Sequence, residues 1–203
     1  MTPIEKLIQK IAKSCFNLPA HSVDLPFGDF PMSVLRYVNR LEYRAIEDKQ
    51  APLNIEQVAA LILERVPEFQ RKNDKWSPLM QARFIKNILN GFKCSPLMLY
   101  TLEKGDMGDC FILDGLQRIT AILIFFGLSN MVVDTIDGDD ITNVDIIESQ
   151  HFIGRLLHMN IPIKVFTFKS HKEAAEFYIQ INEGITHSED DIKRAQDFIN
   201  ASC

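Results

Sequence analysis

Apolar positions along the chain recur in two periods, one helical and one alternating. Ile4, Leu7, Ile8 and Ile11 open the chain at helical spacing. A loop punctuated by Pro19, Pro26, Gly28 and Pro31 follows. One helix is then expected from Met32 to about Glu47, with Leu35, Val38, Leu41 and Ile46 on its apolar side. A short helix is expected around Glu56 to Glu64, before an extended stretch in which Pro67 argues against a central strand. Ser77 and Pro78, an N-cap residue and a first-position proline, open the plainest helix. Its apolar side is Met80, Phe84, Ile85, Ile88 and Leu89, and Gly91 ends it. Ser95 to Tyr100 and Cys110 to Leu113 read as strands joined by a hairpin-like turn at Gly105 and Gly108. The acidic stretch Asp134 to Glu148 reads as a solvated loop or insertion, and His151 to Met159 as a short helix. Ile161, Ile163, Val165 and Thr167 alternate along a strand that runs to Phe168. Ser170 to Glu173 and Ser188 to Asp191 have the form of capping boxes and open the last two helices.

One stretch organises the rest. The Cys110 to Leu113 run is apolar throughout, as a strand buried on both faces is. It leads into a helix from about Gly115 to a stop at Gly127, apolar on every side: Ile119, Ala121, Ile122, Leu123, Ile124, Phe125, Phe126. That is the pattern of a core helix. At about twelve residues it is too short to span a bilayer, which needs roughly twenty. Asp114 and Gln117 have capping-box spacing. All the polarity of the helix, Asp114, Gln117, Arg118 and Thr120, is gathered at its start. Free backbone N–H groups and the positive dipole end receive anions there. Gly115 allows close approach to the backbone, and Arg118 supplies a fork suited to phosphate. The same residues also fit a structural role, with Asp114 and Gln117 as caps and Arg118 paired to an acidic residue.

Composition bounds the picture. The 203 residues suffice for one generous domain or a domain with an appended subdomain. At 46% hydrophobic with fourteen phenylalanines, the chain has material for a large core, which excludes global disorder. The formal net charge of −5 is not the footprint of a strong nonspecific nucleic-acid binder, though it leaves room for local basic patches. Arg36, Arg40 and Arg44 make one such face, read as a solvated surface or as a phosphate-binding stripe. Cys15, Cys94, Cys110 and Cys203 form no Cys-x-x-Cys pair and no zinc spacing, which fits free thiols in a reducing cytoplasm. The acidic stretch lacks calcium-loop spacing. No signal peptide and no membrane-length apolar run is present, so no membrane association is expected.

Three segments then fall in order: Val66-Pro-Glu-Phe-Gln-Arg71 followed by Trp76; Asp114-Gly-Leu-Gln-Arg118-Ile-Thr120; and Phe177-Tyr-Ile-Gln-Ile-Asn182-Glu-Gly184-Ile-Thr186-His-Ser188. Together they resemble the domain forming the N-terminal half of GmrSD-type restriction endonucleases, with its IPxFQR…W, DGQQR and N-x-G-x-x-L-S segments. Gly115, Arg118 and Ala121 are also similar to the G-x-x-R-x-x-A box of ParB partition proteins. The resemblance covers roughly residues 51–198. It implies an α/β (α+β) fold of ParB/sulfiredoxin-like type, a small mixed sheet surrounded by helices. Residues 1–50 would be an N-terminal helical extension and residues 51–203 the ParB-like domain. Two departures stand out. Leu116 occupies a position where the family has glutamine, and the chain ends at Cys203 without a histidine-rich nuclease motif.

The resemblance further implies binding and hydrolysis of a nucleoside triphosphate (NTP) with Mg²⁺. Arg118 would pair with phosphate oxygens, Gln117 would orient water or bond a phosphate, and Asp114 would hold Mg²⁺ through water. Gly115 and Thr120 would line the phosphate site, Gln70 and Arg71 would close it, and Asn182 would add a polar contact. The expected partners are a nucleotide, DNA, and a separate nuclease or effector subunit, in a defence, restriction or phage-encoded system. Two alternatives remain open: a noncatalytic DNA-binding or regulatory module of the same fold, and a DNA nuclease.

Overall fold

The computed structural model describes residues 2–7, 20–49, 54–70, 73–103, 105, 108–149, 154–156, 158–182 and 189–201. Among them the strands are β1 (Ala20–Pro26), β2 (Leu97–Leu102), β3 (Phe111–Asp114), β4 (Val132–Ile136), β5 (Asp139–Thr142) and β6 (Asn160–Phe168). The helices are α1 (Phe30–Val38), α2 (Arg40–Lys49), α3 (Ile55–Leu63), α4 (Pro78–Leu89), α5 (Leu116–Leu123), α6 (Asn143–Glu148), α7 (His171–Asn182) and α8 (Glu189–Ala201). Four strands form a mixed sheet in the order β1-β6-β2-β3. β6 runs antiparallel to β1 and parallel to β2, and β2 runs antiparallel to β3.

Alternation along these strands sends side chains to both faces. Leu97, Leu99, Ile112, Ile161, Ile163 and Val165 join the larger core with residues of α1, α3, α4 and α5. Tyr100, Leu113, Phe166 and Phe168 join a second core with Phe69 and residues of α7 and α8. Helices on both faces of one sheet give the mixed α/β class that the sequence predicts.

Several local expectations change. The proline-marked loop ahead of residue 27 contains β1, whose Val23 and Leu25 turn inward while Ser22 and Asp24 are exposed. β1 is the outer strand of the sheet, where its terminal Pro26 is tolerated. The single helix expected from Met32 is two, broken at Asn39 (φ −153°, ψ 76°), whose side chain accepts from the Glu42 N–H and so starts α2. The acidic stretch is no loop. It is the β4–β5 hairpin followed by α6, and its turn, Asp137-Gly138, has positive φ at both residues (54° and 92°). Asp-Gly is a strong two-residue hairpin signal, and here it outweighs the polarity of the segment. Residues 3–7 are helical, while the remainder of the predicted first helix lies outside the described residues.

Behind the hairpin, Asn143 is 1% exposed. Its Nδ2 donates to the carbonyls of Ile124, Phe125 and Ser129, and its Oδ1 accepts from the Met131 N–H. This one amide fixes the π-helical turn Ile124–Leu128 that ends α5, where Gly127 adopts φ 111°.

Candidate functional site

β3 ends on Asp114, and α5 begins one residue later, after Gly115. Gly115 is left-handed (φ 98°, ψ 15°), a conformation that glycine adopts without penalty. A Cβ there would strike the Leu97 side chain and lie 3.1 Å from Arg118 Nη2. The left-handed turn makes Gly115 the N-cap residue and leaves Asp114 outside that position. The expected Asp114–Gln117 capping box is therefore absent, and no side chain caps this helix start. Asp114 Oδ2 instead accepts from Arg118 Nη2 at 2.7 Å.

Arg118 is held from two sides. Its Nη1 donates to the Ser95 carbonyl at 2.5 Å and to the Pro96 carbonyl at 3.3 Å. The arginine side chain is 15% exposed and that of Asp114 25%, so the pair is part-exposed. Leu116, one residue into the helix, turns into the larger core. Burial pushes the Cys94 thiol up from its ordinary pKa, against the opposing pull of the Arg118 charge.

The first motif segment runs along the outer side of β3. The Ile112 N–H donates to the Arg65 carbonyl at 2.9 Å, and Gln70 Nε2 donates to the Ile112 carbonyl at 2.8 Å. Gln70 thus covers a strand edge that would otherwise be open. Phe69 beside it is fully buried, its ring 5.7 Å from Tyr178 and 5.5 Å from Phe198. Further along, Asn73 Nδ2 donates to Thr120 Oγ1 at 2.6 Å, and the Trp76 N–H donates to Gln117 Oε1 at 3.1 Å. Trp76 packs edge-on against Phe84. Gln117 and Thr120 are buried, and both tie α5 to the 73–76 turn.

The third segment enters through α7 and α8. Asn182 is buried at the end of α7 and donates from Nδ2 to the Tyr178 carbonyl. Arg194 Nη1 donates to the Gln70 carbonyl at 3.1 Å. Asp114, Gly115 and Arg118 therefore meet at the β3–α5 turn, whereas Gln70 bonds β3 at Ile112, Gln117 and Thr120 bond the 73–76 turn, and Asn182 bonds the Tyr178 carbonyl within α7. Arg71 and residues 183–188 lie outside the described residues. Sequence reasoning missed Asn73 and the Ser95 and Pro96 carbonyls. Asn73 sits in a polar turn with no distinguishing pattern, and backbone carbonyls leave no trace in a sequence.

A family model described as the GmrSD restriction endonuclease, N-terminal domain, matches residues 54–201, a span that contains all three motif segments. The chain belongs to the GmrSD N-terminal domain family. No curated protein and no solved structure matches it. Membership sets this GmrSD N-terminal domain in a DNA-related restriction or defence system. No helix among the described residues is long and apolar enough to cross a membrane.

The chemistry open to this GmrSD domain follows from the turn. The start of α5 supplies the positive end of a helix dipole. Arg118 and Asp114 place a guanidinium and a carboxylate beside it. Among the described residues no group of three His, Cys, Asp or Glu side chains could hold a metal alone. A single carboxylate suits Mg²⁺, which keeps several waters and shares phosphate oxygens with its substrate. The one part-exposed carboxylate of Asp114 is a donor that a hydrated magnesium ion accepts.

Proposed function

We propose that this domain binds a nucleoside triphosphate at the β3–α5 turn and hydrolyses it with Mg²⁺, within a DNA restriction or defence system. The observation that carries the reading is the Asp114–Arg118 pair, part-exposed beside the left-handed Gly115. Each member is the complement of one half of a magnesium nucleotide. On binding, Arg118 exchanges the Asp114 oxygen for phosphate oxygens, and the released carboxylate faces the cation. Nη1 stays on the Ser95 carbonyl, so the guanidinium needs little reorientation. Gln70, Thr120 and Asn182 are buried and brace the elements around the turn through Ile112, Asn73 and Tyr178. Magnesium, when bound, neutralises charge on the phosphate oxygens. In hydrolysis a water oxygen would bond to the γ-phosphorus, the bond to the β–γ bridging oxygen would break, and the nucleoside diphosphate, phosphate and a proton would leave.

A second reading, a noncatalytic regulatory module of the same fold, is favoured by Gln117. It is 1% exposed, and its Oε1 already accepts from the Trp76 N–H. An amide so placed positions the 73–76 turn rather than an attacking water.

Calorimetric titration with ATP and GTP, with and without Mg²⁺, alongside phosphate release, separates the two. Turnover in the wild type that is lost in folded Arg118→Ala supports the enzyme. Binding without turnover supports the module. A folded protein that binds no triphosphate under any of these conditions overturns the nucleotide site altogether.

A further inference from the structure

The proposed nucleotide site leaves the arginine face of the N-terminal helices unused. α1 ends at Val38 and α2 begins at Arg40, so Arg36, Arg40 and Arg44 straddle a corner rather than lining one straight helix. Two adjoining depressions, of about 420 and 270 Å³, share Arg40 and Gly108 in their lining. The larger adds Arg44, Arg65 and Asp109, and the smaller adds Arg36.

The corner is built, not incidental. The Arg40 N–H donates to the Gly108 carbonyl at 2.9 Å, and the Cys110 N–H donates to the Tyr37 carbonyl at 3.0 Å. A Cβ on Gly108 would lie 2.7 Å from Arg40 Cδ, so glycine makes room for the arginine stem. Arg65 is pinned by Asp109 at 2.6 Å and lies over the Phe111 ring. Asp109 therefore offsets Arg65. Among the described residues no ion pair engages Arg36, Arg40 or Arg44. Of the neighbouring acids, Glu47 accepts from the Tyr43 hydroxyl and Asp29 from Ser33, while Glu42 and Asp48 share α2 with the arginines. In the lining of the two depressions four arginines stand against one acid, Asp109, so the lining itself is net positive on a chain of net charge −5.

It is also separate from the β3–α5 turn. Gly108 and Asp109 precede β3 and Asp114 ends it, and a four-residue strand spans about 13 Å at ~3.3 Å per residue.

We propose that this corner binds the phosphodiester backbone of duplex DNA. Guanidinium forks match phosphate oxygens. Arg40 and Arg44 are one helical turn apart, about 6 Å, against a phosphate every ~3.4 Å of axis along one strand. They therefore reach separate phosphates. Two depressions in a row, running from Arg36 to Arg65, suit an extended charged chain better than one compact triphosphate. Such contacts position a duplex without reading its sequence.

The test is fluorescence anisotropy of the full chain with a short labelled duplex across a salt series. Three phosphate contacts give a slope of log K against log salt of about −2.7, at roughly −0.9 per contact. Arg36→Ala/Arg44→Ala changes two exposed residues and leaves the fold intact by circular dichroism. It is expected to weaken binding more than tenfold at low salt and to bring the slope to about −0.9. Arg83→Ala, which removes an exposed arginine of α4, is expected to leave affinity unchanged. Tripolyphosphate is expected to displace DNA no better than sulfate at matched ionic strength. The proposal is overturned by a wild type that ignores DNA at low salt, by an unchanged slope in the double variant, by an equal loss in Arg83→Ala, or by selective displacement with tripolyphosphate. None of these outcomes bears on triphosphate binding at Arg118, so the two sites stand or fall apart.

Discussion

Asp114 Oδ2 and Arg118 Nη2 stand 2.7 Å apart across the left-handed turn at Gly115, tying the last residue of a strand to the first turn of the helix it feeds. As a part-exposed ion pair this contact is worth at most about 1 kcal/mol. Its larger effect is geometric. The carboxylate aims one edge of the guanidinium while the Ser95 and Pro96 carbonyls aim the other.

Removing that guanidinium takes the donor from two part-buried acceptors, the Asp114 carboxylate and the Pro96 carbonyl, and from the exposed Ser95 carbonyl. Arg118→Ala is expected to lower the unfolding free energy by about 1–3 kcal/mol, the cost of leaving part-buried polar groups unpaired. Arg118→Lys is expected to recover part of this, because an ammonium still donates but cannot fork. Urea denaturation followed by circular dichroism measures both, and equal stability of all three proteins would refute the anchoring role.

Gly115→Ala is expected to be costly for a different reason. The left-handed backbone costs a non-glycine residue roughly 1–2 kcal/mol. Overpacking against Leu97 adds about 1–3 kcal/mol. Thermal unfolding checks it, and a wild-type midpoint would show that the turn relaxes. Gly138 tests the packing part, since its φ of 92° is also left-handed but nothing lies within 4 Å of a Cβ there. Gly138→Ala should cost the backbone share alone.

Much of this arrangement was legible beforehand, and the misses have physical causes. Helix α4 shows its Ser77 cap and Pro78 start openly, and the structure repeats both. β2, β3 and β6 are legible because apolar runs and alternation survive burial on both faces. The three ordered motif segments identified the family. The Asp114 cap was misread because spacing cannot reveal the sign of φ at Gly115, and that sign decides which residue starts the helix. β1 was missed because a short edge strand with polar alternate positions and a terminal proline looks like a loop. The Asn39 break was invisible because apolar periodicity continues through it.

Asn143→Ala is expected to be among the most damaging single changes away from the site. The substitution strips the Met131 N–H of its acceptor and three carbonyls of their donor. A loss of about 2–4 kcal/mol follows from unpaired buried groups. Hydrogen exchange adds a local readout, since amides of the Ile124–Leu128 turn should lose protection first. Uniform protection across α5 and its end would contradict the bracing role.

The hairpin also sets an acid dependence. Asp145 is held below the ordinary carboxylate range by hydrogen bonds from the Thr142 side chain and backbone, and Asp134 by Lys86 and the Thr135 N–H. A depressed folded value means that the unfolded chain binds the proton more readily. These contacts therefore stabilise fully above the unfolded value of about 3.9 and are lost as pH falls through the folded value. Asp145→Asn should flatten the acid limb of a plot of urea midpoint against pH by lowering the midpoint near neutrality while leaving the acid end little changed. An acid limb as steep as wild type would assign the effect elsewhere.

The family match begins at residue 54, yet the outermost strand of the sheet comes from residues 20–26, with Phe27 and Phe30 plugging the core beneath it. A fragment trimmed to the matched span would bare the full hydrogen-bonding rim of β6 above an oily hollow. Rims of that kind recruit further copies of themselves. The leading segment thus completes the four-stranded sheet and the core beneath it, and a version of this domain that keeps both begins well ahead of its family boundary.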